Sequence, residues 1–312
     1  MKRTYNIQRL AEKHGFQEDQ IEKVCRISDI LEDISAIPFL SQRLSLYGGT
    51  ALNLIHFPQM PRLSADIDFN YRHIDEDRDW GNVRDQIDSS FKQILRSQTY
   101  REEDIKIDPS YPLSRFTVRY VNHLGDRDSF KIETGYMRRI PILREDAHMT
   151  FYHIGADIGY TVTTPMTEEL YANKLVTLLS RATLRDLYDA HIIAETDTDA
   201  DKQRKCAVLE SLMSLPQPLT GVDPEETINS ITIDPSLQAV LRTGQDLDIK
   251  ALKESVARYS EAIIGSLTEN ERQCIKEFYT RRQFKPELLE LQEINPEIRS
   301  HPAILRALQQ LK

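Results

Sequence analysis

Cysteine is scarce in this chain. The three that occur, Cys25, Cys206 and Cys274, are far apart, odd in number and outside any CxxC pair. They read as reduced intracellular thiols and argue against a disulfide framework or a thiolate zinc site. The eight histidines show no HxxxH or related zinc spacing. No apolar run approaches the ~18 residues that span a bilayer. The basic start, Met1-Lys2-Arg3, leads into no apolar segment, so no signal peptide is expected and a cytoplasmic protein is the default. Repeats, low-complexity tracts and any GxSxG or Cys/His arrangement for nucleophilic hydrolysis are lacking too. So is an excess of positive charge. The net charge of −9 argues against a generally sticky nucleic-acid binder, whose domain is usually basic. A local basic face remains compatible with RNA.

What is present is ordinary globular material: 312 residues, 40% hydrophobic and 29% charged, enough for one large domain or two ordinary ones. Ile21, Val24, Ile27, Ile30, Leu31 and Ile34 recur at threes and fours, which predicts an amphipathic helix. Residues 44–47 alternate like a strand and run into Gly48-Gly49-Thr50. A helical stretch from Ala51 to His56 stops before Pro58. Ala65 to Tyr71 is a period-2 strand, and residues 83–97 are helical. Phe116–Tyr120 and Phe130–Thr134 are strands joined by a turn that contains Gly125. Beyond Pro165 the pattern turns helical, with one helix over Thr167–Ala182 and another through Ile249, Leu252, Val256, Tyr259 and Ile263. Pro216–Pro235, with four prolines, predicts an irregular connection. The fold class is α+β: residues 1–160 form a unit with a mixed, mainly antiparallel sheet, and residues 161–312 a helical domain.

The strand at residues 65–71 carries the chemistry. Alternation places Asp66, Asp68 and Asn70 on one face and Ile67, Phe69 and Tyr71 on the other. Paired carboxylates suit hard divalent cations, and two such cations stabilise both attacking and leaving oxygens in nucleotidyl transfer. A half-exposed strand with an acidic outer face is the plain alternative. Upstream, Gly48 and Gly49 sit where a strand meets a helix, and a residue without Cβ lets backbone N–H groups approach a phosphate. Thr50 is placed to cap that helix or to donate to phosphate. A simple Gly-Gly turn explains the same residues taken alone. The combination of strand, GGT, helix, loop and DxD strand is much rarer, and it points to one triphosphate site.

The string Tyr47-Gly48-Gly49-Thr50-Ala51-Leu52-Asn53-Leu54, followed by Arg62-Leu63-Ser64-Ala65-Asp66-Ile67-Asp68-Phe69, resembles the AbiEii/AbiGii toxin family of nucleotidyltransferases. That family includes the MenT toxins and belongs to the polymerase-β-like superfamily. Its GG[ST] turn and R-x-S-x-D-[IL]-D-F segment are separated by a variable loop; here 15 residues lie between Thr50 and Asp66. A second block, from Glu168 through Lys174 and Arg181 to Arg185-Asp186-Leu187-Tyr188-Asp189, resembles the family's lysine and R-D-x-x-D motifs.

The resemblance implies a nucleoside triphosphate substrate and Mg2+ or Mn2+ on Asp66 and Asp68, with Glu133 as third carboxylate. It implies nucleotide contacts from Gly48, Gly49, Thr50, Arg62, Ser64, Lys174, Arg181 and Arg185, and catalytic roles for Asp66, Asp68, Lys174 and Asp189. An RNA acceptor such as the tRNA 3′ end, a cognate antitoxin and type IV toxin–antitoxin or abortive-infection biology belong to the same implication. A protein-nucleotidylating enzyme and a non-catalytic nucleotide-binding regulatory module remain the alternatives.

The residues themselves add one independent argument. Lys174 is centred in an apolar stripe with Leu170 and Leu178, and a buried ammonium needs a partner: triphosphate oxygens, Asp189 or both. If the helix is continuous, Lys174, Arg181 and Arg185 share a face, and the site is expected in a cleft between the two domains. Snorkelling of Lys174 and surface salt bridges for Asp186 and Asp189 are the plain reading. Glu133 is equally an exposed charge pair with Lys131 on a hairpin. Arg138-Arg139, the group Lys202, Arg204 and Lys205, and the group Arg281, Arg282 and Lys285 beside Tyr279 and Phe284 are further basic candidates for phosphate or RNA. The acidic Asp75-Glu76-Asp77 is expected to be a solvated loop.

Overall fold

A computed structural model describes residues 2–72, 75, 79–290 and 292–311. Glu76 and Asp77 of the acidic stretch lie outside the described residues. The chain divides into two compact units, one of residues 1–139, 147–164 and 238–245, the other of residues 140–146, 165–237 and 246–312.

The first unit opens with α1 (Ile7–His14) and α2 (Glu18–Ala36), then α3 (Pro38–Ser41). In α2 the predicted apolar positions Ile21, Val24, Ile27, Ile30, Leu31 and Ile34 are all buried. Glu18 and Asp19 in its first turn complement the helix dipole. β1 (Leu44–Tyr47) runs directly into α4 (Gly48–Ala51), which continues as a single π-helical turn over Leu52–His56. The predicted helix over Ala51–His56 is thus wider than an α-helix, a distortion that recurs at functional sites. β2 (Ile67–Tyr71), α5 (Trp80–Ser97), β3 (Ile105–Asp108), β4 (Leu113–Val121) and β5 (Arg127–Gly135) follow, then the hairpin β6 (Ala147–Tyr152) and β7 (Gly159–Thr164). Sequence periodicity did not reveal β3 or that hairpin.

The five-stranded sheet has the order β1-β2-β5-β4-β3. All its pairs are antiparallel except β2 with β5. The sheet is two-faced because β4 and β5 alternate strictly. Phe116, Val118, Phe130, Ile132 and Thr134 are buried on one side. Phe69 of β2 and Phe116 of β4 meet Phe91 of α5, with ring centroids 6.2 Å and 5.6 Å apart. The opposite side carries Arg119, Arg127 and Lys131, all exposed.

The second unit is helical: α6 (Thr167–Arg181), α7 (Leu184–Ala194), α8 (Ala200–Ser214), α9 (Pro224–Asn229), the turn α10 (Pro235–Gln238) at its edge, α11 (Ile249–Gly265), α12 (Glu269–Arg281) and α13 (Pro302–Gln310). Its core joins Ala172, Leu175, Val176 and Leu179 of α6 to Cys206 and Leu209 of α8 and Phe278 of α12. The proline-rich connection holds α9 and a 3-10 turn at Leu219–Gly221, so it is less irregular than expected.

The continuous helix that would align Lys174, Arg181 and Arg185 does not form. Ala182 adopts a left-handed conformation (φ 48°) that ends α6, and the Thr183 side chain caps α7 by accepting from Asp186 N–H.

Candidate active site

The β1–α4 turn and the approach to β2 are packed against each other by side-chain-free backbone. Gly48 has φ 71°, a conformation that suits glycine. A Cβ there would collide with Asp68 Oδ2, so no side chain fits while Asp68 holds its place. At Gly49 a Cβ would meet Ser64 Oγ at 2.7 Å and Arg62 Nη2 at 3.2 Å. Besides the phosphate approach expected from the motif, the glycines allow the close seating of Asp68, Ser64 and Arg62 on the turn. The two sequence segments, separated by a loop, come together as one cluster.

Thr50 does not cap the helix, whose N-cap is Tyr47 without a side-chain bond. Fully buried, its hydroxyl donates to the carbonyl of Asp66 and lies 3.2 Å from Ser64 Oγ. It ties the turn to the residue that opens the acidic strand. Asn53, in the π turn, donates to Gly49 O at 3.1 Å, and Arg62, buried, donates to Leu63 O at 2.9 Å. His56 closes that turn, and burial pushes its imidazole down to about 4.

β2 begins at Ile67, with Asp66 immediately before it. Parallel pairing sets Asp68 directly opposite Glu133, which places both carboxylates on one face of adjacent strands, with Cα atoms about 4.8 Å apart. The backbone N–H of Lys131 donates to Asp66 Oδ1 at 2.8 Å, so β5 also fixes the first aspartate. Asp66 is exposed, and Asp68 and Glu133 are half-buried. Glu133 accepts from Arg115 Nε at 2.6 Å; its cross-strand partner is therefore Arg115 and not Lys131, its neighbour along the strand. Arg138 stands 6.0 Å from the centroid of the Tyr47 ring, beside the glycine turn. Arg139 stacks on Trp80 at 4.4 Å.

In the helical unit Lys174 is 5% exposed and its Nζ lies 2.9 Å from Oδ2 of Asp189, which is fully buried. Leu170 and Leu178 on the same helix are fully buried. Lys174 therefore does not snorkel, and Asp189 is a partner of its ammonium. Arg181 is bidentate to Asp186, at 2.6 and 2.8 Å, while Arg185 is exposed on the next helix. Five of the six other basic candidates of this unit meet carboxylates, and Arg282 is exposed. Arg204 pairs with Glu271 and Asp201, Lys202 with Asp199 and Glu293, Lys205 with Asp201, and both Arg281 and Lys285 with Glu277.

A second acidic group escapes any reading of spacing, because its members lie on α2 and just after β6. Asp29, Glu32 and His153 bring ligand atoms within 4.8 Å of one another. Arg3 bonds both carboxylates, Tyr5 O–H donates to Asp29 at 2.6 Å, and Lys2 pairs with Glu32 at 2.9 Å. Burial alone would raise the Asp29 carboxyl, yet hydrogen bonds from His153, Tyr5 and Arg3 hold it below its ordinary value. The same arginine, through its hydrogen bond, brings Glu32 down to about 2. These charges are already balanced by the protein's own cations.

Comparison with known proteins bears on the first cluster. The family described as nucleotidyl transferase AbiEii toxin of type IV toxin–antitoxin systems matches residues 29–262, a span that includes Asp66, Asp68, Glu133, Lys174 and Asp189 but not Arg281, Arg282 and Lys285. The fold is similar to that of the nucleotidyltransferase toxin MenT4 from Mycobacterium tuberculosis H37Rv, with a TM-score of 0.64 and 18% identity over 97% of this chain and 99% of that one. No curated protein matches by sequence.

Proposed function

The chain belongs to the AbiEii family of nucleotidyltransferase toxins of type IV toxin–antitoxin systems, and we propose that Asp66, Asp68 and Glu133 hold the divalent metal with which it moves a nucleoside monophosphate from a triphosphate to RNA. The donor set fits a hard cation: three carboxylates on one sheet face, with oxygen ligands of the kind Mg2+ and Mn2+ prefer. When bound, such ions neutralise charge on the transferring phosphoryl group and on the attacking and leaving oxygens. The single observation that carries the reading is the register of Asp68 opposite Glu133 beside a Gly48 that admits no Cβ.

The chain's own residues divide the remaining work. Gly48 and Gly49 bring backbone close to the triphosphate, and Arg62 and Ser64, seated on Gly49, line the same turn. Thr50 acts indirectly, by fixing Asp66 through its carbonyl. Lys174 neutralises negative charge that builds as pyrophosphate departs, and Asp189 is the positioning residue that orients its ammonium. Arg181 and Arg185 supply outer phosphate contacts. The metal and turn residues belong to the first unit and Lys174 to the second. The acceptor we propose is an RNA end, such as the tRNA 3′ end, in the cytoplasm, with a cognate antitoxin that restrains the activity. Among the described residues no helix is long and apolar enough to cross a membrane.

Purified protein incubated with each α-labelled nucleoside triphosphate, Mg2+ and total cellular RNA tests this. Label is expected on RNA, abolished by EDTA and restored by Mg2+ or Mn2+. Label on protein instead would overturn the acceptor, and tight binding without transfer would overturn catalysis.

A further inference from the structure

The sheet face that bears the carboxylates continues past them as a basic surface. Its side chains form rows across the strands. The first row is Asp68, Glu133, Arg115 and Asp108; the second is Asp66, Lys131, Thr117 and Lys106. The third pairs Ser129 with Arg119, and the fourth Arg127 with Val121. At about 3.3 Å per residue, the fourth row lies roughly 20 Å from the first. Beyond the two aspartates and Glu133, the charged side chains of rows two to four are all cationic: Lys131, Lys106, Arg119 and Arg127.

All four are exposed, and none makes a salt bridge with a described residue. That sets them apart from Lys202, Arg204, Lys205, Arg281 and Lys285 of the helical unit, whose charges are met by carboxylates. The face ends in a groove of about 850 Å³ lined by Arg119 and Arg127, together with Arg26, which is paired with Glu22, and Arg101, which lies 3.5 Å from Glu103. Asp104 and Asp128 also line it, and Asp128 is already paired with Lys23 at 2.8 Å. In a chain of net charge −9, a cationic face of this kind concentrates positive potential where a polyanion is attracted.

We propose that this face, from Lys131 through Lys106 and Arg119 to Arg127, is the track that holds the phosphodiester backbone of the acceptor RNA and delivers its end to Asp66 and Asp68. The inference rests on the reading that the acceptor is RNA. Charge complementarity commits the face to a polyanion, and its direction follows from Lys131, whose backbone already touches Asp66. Contacts of this kind position a strand without reading its sequence.

The test is the pair of double variants Arg119→Glu/Arg127→Glu and, as a milder change, Arg119→Gln/Arg127→Gln, each checked for an unaltered melting temperature and triphosphate affinity. Steady-state transfer to a tRNA substrate should show KM for RNA raised at least ~10-fold by the reversal and less by neutralisation, with kcat changed far less. Binding of a fluorescent tRNA, followed against salt, should show a log–log slope reduced by about 0.7 to 0.9 for each cation removed. A wild-type protein that labels tRNA while both folded variants keep its KM and salt slope would overturn the track and leave the acceptor reading standing. A wild-type protein with neither transfer to RNA nor affinity for it would overturn both.

Discussion

Two acidic clusters lie in the same unit, and they differ in what neutralises them. Asp29, Glu32 and His153 meet a distance criterion for a metal, yet Arg3, Lys2 and Tyr5 already occupy their oxygens. Asp66, Asp68 and Glu133 lie on one face of two paired strands and are held by a backbone N–H, a glycine turn and one arginine. The first arrangement cross-links the N-terminus to α2 through two cations and a tyrosine; the second keeps Asp66 exposed and Asp68 and Glu133 half-buried on a sheet face. Proximity of ligand atoms is therefore a poor guide to a metal site. The number of cations already present weighs against a metal there, because Glu32, met by both Arg3 and Lys2, gains little from a further cation that must displace them.

The comparison breaks most sharply at Asp68. Asp68→Asn keeps size and polarity but removes one metal-ligand charge, and transfer should fall by at least ~1,000-fold, about 4 kcal/mol of transition-state stabilisation. Its melting temperature should stay within a few degrees of wild type, since the side chain is half-buried. Steady-state transfer and thermal melts on the same preparation measure both. Turnover within a fewfold of wild type in a folded variant would remove the carboxylate face from the mechanism.

A buried pair sharpens the contrast from the other unit. Lys174 and Asp189 are nearly solvent-free, so Lys174→Met leaves a buried carboxylate without its ammonium. Asp189 lies 2.9 Å from the ammonium, and breaking one side of such a buried pair costs about 3 to 5 kcal/mol. The double variant Lys174→Met/Asp189→Asn should recover most of that stability. Transfer should remain at least ~100-fold down in both, about 2.7 kcal/mol. Recovery of turnover together with stability would make the pair structural only.

What the sequence made legible was local. Alternation exposed the carboxylate strand, and the glycine turn lies 15 residues upstream, so periodicity and turn chemistry sufficed. Glu133 was visible as a residue type, but its register with Asp68 depends on a parallel pairing between strands more than 50 residues apart, which no local pattern encodes. The break at Ala182 carries neither glycine nor proline. Its signal was the capping pattern Thr183-Leu184-Arg185-Asp186, a Ser/Thr followed three residues later by an acid. The role of Thr50 and the filling of the Asp29 cluster were out of reach, because each depends on which long-range partner arrives first at a polar atom.

The smallest expected effect tests the filled cluster itself. Glu32 is held down to about 2 from an ordinary 4.5, chiefly by its hydrogen bond with Arg3. A carboxyl depressed on folding stabilises the native state fully above its unfolded pKa, and that stabilisation disappears as pH falls through the folded value. Wild-type protein should therefore lose this contribution between pH 4.5 and about 2. Glu32→Gln should melt below wild type near pH 7, by roughly 2 to 3 °C for a partly solvated pair worth about 1 kcal/mol. The two curves should converge as pH falls through about 2, where the Glu32 carboxyl takes up its proton. The difference between curves is the readout, since other carboxylates titrate equally in both proteins. Transfer activity should not change, and Mg2+ should leave the gap in melting temperature unaltered, because Arg3 and Lys2 already supply the positive charge. A gap that widens on adding Mg2+ would mean the cation prefers this cluster, and the distinction between filled and open carboxylates would fail.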